Sequence, residues 1–179
     1  MTTASTTARR TSVGIGQIAV SKDTSEVLVA YGLGSCVGVS AYDPVAHICG
    51  LAHILLPESN NSASATREPA WYAAAGITNL LRELTALGAI PGRLVVKLAG
   101  GAAVLGEANA SKFRIGERNA EVITELLRQR NIRPCATSLG GSKGRTVELH
   151  VVSGKTFVRT AASPATELQE GHHGNDSRS

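Results

Sequence analysis

The sequence predicts a mixed α/β domain from three observations: short apolar runs bounded by turn residues, two longer segments with helical apolar spacing, and the order in which these come. Strands, a helix, a strand, a second helix and further strands follow one another, without the regular alternation that repeated βαβ units impose.

"VGIGQIAVS" (13–21) and "EVLVAY" (26–31) read as strands. "CVGVSAY" (36–42) and "ICGLAHILL" (48–56) flank the turn signal "DPVAH" and pair as a hairpin. The segment at 68–89 sets Ala73, Ile77, Leu80, Leu81, Leu84 and Leu87 at helical spacing, with Pro69 near its start and Gly88 as its stop. "RLVVKLA" (93–99) is a strand, and "KLAGGAAVL" reads as a close-packed glycine turn in preference to a strand end opening into a substrate-facing loop. A second helix over 116–132 buries Ala120, Ile123, Leu126 and Leu127, and Glu117 and Asn119 are expected to organise its start. "GGSKGR" lacks the spacing of a phosphate loop and precedes a strand, "VELHVVSG" (147–154), so it reads as a hairpin loop with Lys143 and Arg145 as solvated charges. The ends, 1–11 and 162–179, are poor in apolar residues and are expected to be disordered tails around a domain at 12–161. His172 and His173 lie in the second tail without companion ligands, so no metal site is expected there.

At 179 residues the chain suits one domain, since ~100 to 200 residues is the usual span. Mean hydropathy is +0.03, and no apolar run nears the ~18 residues of a membrane span, so no membrane insertion is expected. Three cysteines without framework spacing, and an N-terminus without the apolar core of a secretory signal, point to the cytoplasm. The net charge of +4 is spread along the chain, and one Trp, three Tyr and two Phe leave few rings for base stacking, which argues against nucleic acid.

The stretch "GLGSC" sets Cys36 behind small residues. A cysteine attacks as its thiolate and needs an imidazole or aligned N–H groups nearby. The midpoint between Cys36 and His53 falls within 43–46, so a turn centred there places the two directly opposite one another. Opposed residues on one sheet face have Cβ atoms roughly 4.5 to 5.5 Å apart, within reach of an imidazole. Gly38 and Ser40, next on the same face, leave room for an incoming side chain. The N–H groups of Gly34, Ser35 and Cys36 then stand ready to hold an oxyanion. The same residues also suit a plain tight turn with a buried cysteine and a core histidine. Cys49 shares the parity of His53 and is read as packing; with His47 it lacks the further ligands of a zinc site.

"GLGSCVGV", "GLAHILLPES", "KLAGGAAVL", "IGERN" and "GGSKGR", in this order, resemble the CheD family of chemoreceptor glutamine deamidases over roughly residues 13–159. The resemblance implies an α/β fold with a mixed, largely antiparallel sheet core flanked by helices, like that of toxin-type glutamine deamidases. It implies Cys36 as nucleophile and His53 as its partner. It also implies hydrolysis of glutamine side chains on methyl-accepting chemotaxis receptors, without metal or organic cofactor. The family's threonine, six positions before the cysteine, falls on Ala30, so a hydroxyl that orients the imidazole is missing. Ser35 or a backbone carbonyl is the available substitute. The other reading is a binding module with little catalysis, docking on receptors or on a CheC-type chemotaxis phosphatase.

Overall fold

The computed structural model describes residues 8–58, 68–103 and 110–175. Its elements are β1 (Arg9–Ser12), β2 (Ile18–Ser21), β3 (Glu26–Leu33), β4 (Val37–Asp43), β5 (Ile48–Ile54), α1 (Ala73–Leu87), β6 (Val95–Gly100), α2 (Ala110–Arg128), β7 (Ala136–Leu139), β8 (Arg145–His150), β9 (Thr156–Thr160), β10 (Thr166–Glu167) and β11 (His173–Asn175). They form two mixed sheets, ordered β1-β3-β8-β9-β10 and β11-β7-β6-β4-β5-β2. Antiparallel pairs predominate, with parallel pairs at β1–β3, β6–β7 and β7–β11.

Two apolar clusters separate three layers. Val39, Ala52 and Ile54 of β4 and β5 pack with Ile77, Leu80 and Leu84 of α1, and with Ile123 and Leu127 of α2. The opposite face of the same hairpin, with Cys49 and Leu51, packs against Leu28, Ala30, Val147 and Leu149 of the other sheet. Period-two alternation in β5 therefore sends Ala52 and Ile54 to the helices, and Cys49, Leu51 and His53 to the facing sheet. The helix at 73–87 closes as expected on Gly88, which is left-handed (φ 113°) and donates its N–H to Leu84 O and Thr85 O.

Several expectations need correction. Residues 9–12 pair with 26–29 as β1, although the segment was expected to be a loose tail. β10 and β11 lie within the second expected tail. There Leu168 is buried, and its carbonyl accepts a 2.7 Å hydrogen bond from the buried Lys97 Nζ. These short polar strands are held by main-chain bonds to sheet edges, which composition does not register. "GGSKGR" is not a hairpin loop, because β7 and β8 belong to different sheets and residues 140–144 cross between them. Arg145 is buried rather than a solvated loop charge, and it donates to Ser138 Oγ at 3.2 Å and to Lys143 O at 3.3 Å. α2 starts at Ala110, so Glu117 and Asn119 lie within the helix and not at its start.

Candidate active site

The β4–β5 hairpin pairs Gly38 with His53 and ends at Val37 and Ile54, with Cys36 just beyond the ladder. Cys36 and His53 are therefore diagonal rather than directly opposed, a correction to the expected register. The cause is the turn. Asp43 pairs with Ile48, and its Oδ1 accepts the N–H groups of Val45 (2.9 Å) and Ala46 (3.1 Å), so the loop comprises residues 44–47 and is centred one residue late. A shift of the pairing by two residues keeps side-chain parity. Both side chains stay on the face turned to the other sheet, where diagonal neighbours are ~7 to 8 Å apart at Cα and within reach of long side chains.

His53 is fixed by residues 13–17, which form an irregular loop rather than the expected strand. Its ring Nδ1 lies 3.1 Å from Val13 O, its N–H donates to Gln17 O (3.0 Å), and its carbonyl accepts from Gly16 N (2.9 Å). A carbonyl only accepts, so Nδ1 carries the proton and Nε2 holds the free lone pair. Gly16 (φ 78°) is required in this loop, because a Cβ there would lie 2.8 Å from Glu68 Cβ. The imidazole is 1% exposed, and burial lowers its pKa while the bond to Val13 O partly opposes this. Nε2 is buried with no hydrogen-bond partner among the described residues, so the resting imidazole is not bonded to the Cys36 thiol. Burial likewise pushes the Cys36 thiol up. The resting pair is neutral.

The loop that carries Cys36 is held by its carbonyls. Gly34 O accepts from Ala102 N (2.7 Å), Cys36 O from Gly101 N (2.8 Å), and Ser35 O from Asn119 Nδ2 (2.9 Å). Gly100 (φ 121°) permits this contact, because a Cβ there would stand 2.2 Å from Cys36 O. The turn at Gly100 and Gly101 is thus close-packed, and it packs against the cysteine loop. Gly34 and Ser35 are half-buried, and their N–H groups bond to no main-chain carbonyl among the described residues. Asn119, expected from the sequence to organise the start of the second helix, instead reaches the cysteine loop. It is fully buried, and its Nδ2 also donates to Leu55 O at 2.9 Å, joining the cysteine loop to the chain leaving His53.

The family model described as CheD chemotactic sensory transduction matches residues 55–160. A protein of Desulforamulus reducens named probable chemoreceptor glutamine deamidase CheD is 43% identical over 154 residues, covering 85% of this chain and 91% of that protein. The chain belongs to the CheD family. A protein of the same name from Symbiobacterium thermophilum is 38% identical over 161 residues, covering 89% of this chain and 98% of its own. Among solved structures, a hypothetical protein of Bacillus licheniformis, YfiH, is similar at a TM-score of 0.39 and 15% identity over 70% of this chain and 49% of that one, a likeness that carries no functional argument.

Ala30, which stands where the CheD resemblance places a threonine, is fully buried on β3 and pairs with Val147. Ser35 contributes a carbonyl to the loop scaffold, whereas the contact to the His53 ring comes from Val13 O. Cys49 is fully buried and its thiol is pushed up to about 12 by burial, which makes it inert packing. His47 Nδ1 is hydrogen-bonded to Tyr42 Oη at 3.0 Å, at the turn end of the hairpin. Among the described residues, no three His, Cys, Asp or Glu side chains converge to hold a metal ion. No helix there is long and apolar enough to cross a membrane.

Proposed function

We propose that this chain is a cytoplasmic protein-glutamine deamidase that converts selected glutamines of methyl-accepting chemotaxis receptors to glutamate through a thioester on Cys36. The observation that carries this reading is the His53 ring: Nδ1–H is committed to Val13 O, and a buried, unpartnered Nε2 lies on the same sheet face as Cys36. The names of the CheD relatives support the substrate class. Nε2 takes the thiol proton as sulfur bonds to the amide carbon, and the oxygen becomes an oxyanion facing the N–H groups of the cysteine loop. Collapse breaks the C–N bond, and the amide nitrogen leaves as ammonia with the proton from Nε2. Water then attacks the thioester, gives a proton to Nε2, and releases glutamate as the C–S bond breaks and sulfur regains a proton.

The test is mass spectrometry of receptor fragments incubated with the protein, which should show a gain of about one mass unit at glutamine, because NH₂ is exchanged for OH. Ammonia should appear in equal amount. A fragment unchanged by folded protein would overturn the reading. The neutral, unbonded resting pair and Ala30 favour a second reading, a docking module for receptors or a CheC-type phosphatase. Tight receptor binding without mass change is its signature.

A further inference from the structure

The β4–β5 ladder ends at Val37 and Ile54, and beyond it the strands are bridged by one side chain. Asn119 Nδ2 donates both of its protons, to Ser35 O and Leu55 O, each at 2.9 Å. The side chain is 0% exposed, and its Oδ1 has no partner among the described residues. A buried amide oxygen left without a partner costs free energy, and in a folded protein this calls for an explanation.

The consequence follows from peptide geometry. All peptide bonds described are trans, so the Ser35 carbonyl and the Cys36 N–H point in opposite directions from one planar unit. Whatever fixes the carbonyl fixes the N–H. The units on either side are pinned in the same way, through Gly34 O by Ala102 N and through Cys36 O by Gly101 N. Only the central unit is held by a side chain. The Cys36 N–H belongs to the nucleophile's own residue, and a main-chain donor there can meet the oxygen of a carbonyl that the sulfur attacks.

We infer that Asn119 is a positioning residue for the oxyanion hole: by taking the Ser35 carbonyl it aims the Cys36 N–H at the substrate oxygen, and by taking the Leu55 carbonyl it holds that donor in register with the His53 strand. This rests on the deamidase reading above and assigns a role within it. Asn119 touches neither substrate nor the reacting atoms.

The test separates oxyanion stabilisation from thiol reactivity. Removing one oxyanion donor lowers kcat about 10²- to 10³-fold, and a donor that is mis-aimed rather than removed should cost less, on the order of 10- to 100-fold. Asn119→Ala should therefore lower kcat for a receptor fragment by that factor with KM unchanged. Alkylation of Cys36 by iodoacetamide, a displacement at carbon that develops no oxyanion, should proceed at the wild-type rate. A receptor peptide with glutamate semialdehyde in place of the glutamine adds the Cys36 thiol across its C=O bond, and the affinity of this hemithioacetal should fall with kcat. Equal losses in alkylation and deamidation would overturn the inference, because Asn119 would then support only the thiol or the fold. So would a kcat and an aldehyde affinity both equal to wild type. If Asn119→Ala fails to fold, the wild type decides: binding of the semialdehyde peptide must shift the Cys36 amide proton downfield, and an unmoved resonance overturns the inference. Failure of the deamidase reading is distinct. It appears as wild-type protein that forms the hemithioacetal yet releases no ammonia, and aldehyde affinity alone then judges Asn119.

Discussion

At the turn end of the β4–β5 hairpin the fully buried Asp43 carboxylate accepts from Val45 N, Ala46 N, Ile90 N and both Nε and Nη2 of Arg93. At the open end the buried polar groups are left incomplete: His53 Nε2 and Asn119 Oδ1 have no partner among the described residues. Both ends bury polar atoms in the same two strands. The turn end satisfies every contact around one charge, and although burial works against ionisation, Arg93 and the three N–H groups hold the Asp43 carboxyl well below the usual carboxylate range. A satisfied network specifies structure, whereas a histidine nitrogen held on a fixed scaffold without a partner keeps its lone pair for proton transfer.

The sharpest way to break this comparison is Cys36→Ala, which should abolish ammonia release while leaving the thermal unfolding midpoint near that of wild type. Cys135→Ala is the control, since burial also raises that thiol and it lies outside the site. Retained deamidation in Cys36→Ala would move the site elsewhere.

Next in size is Asp43→Ala. It should cost about 3 kcal/mol of stability in denaturant titrations, because it leaves the N–H groups of Val45, Ala46 and Ile90 without their acceptor and breaks the pair with Arg93, while the deamidation rate per folded molecule stays unchanged. A loss of rate without loss of stability would erase the distinction between the two ends.

A smaller effect concerns pH. Burial holds the folded-state pKa of His53 below its ordinary 6.5, so on acidification the unfolded chain takes up the proton first. The stability contributed by the neutral imidazole is complete above 6.5 and is lost as pH falls through and below that value. Thermal melts across that range should show a steeper acid-side decline in wild type than in His53→Gln, and equal slopes would show that the ring is not buried in solution. Alkylation of Cys36 in the free protein should in turn keep accelerating beyond pH 9.0, because burial raises the thiol above that ordinary value.

The smallest effect is expected for Ala30→Thr. Val13 O already holds the Nδ1 proton, so a new hydroxyl has no vacant place on that nitrogen. Single-turnover rates should agree within about threefold, less than one hydrogen bond's worth of ~1 kcal/mol. A tenfold gain would mean that the Val13 contact orients the ring poorly.

Much of this architecture follows from residues read in order. The spacing of Ile77, Leu80 and Leu84 determined the buried face of α1, and Gly88 its end, because a side-chain period of 3.6 is a local property of the chain; the odd separation of Cys36 and His53 gives a shared sheet face only with an even-numbered loop, as at 44–47. The short strands β1, β10 and β11, the crossing of 140–144 between sheets, and the hairpin register were decided by tertiary structure. So were the partners that matter most at the site. Val13 O and Asn119 Nδ2 reach His53 and the cysteine loop across 40 and 84 residues of sequence. A main-chain carbonyl is common to every residue, and a helix-interior asparagine reads as a weak helix former until its partners are in place. The chain's local preferences could bring a cysteine and a histidine to one face; only the packing of α2 and the loop at 13–17 against that face could aim them.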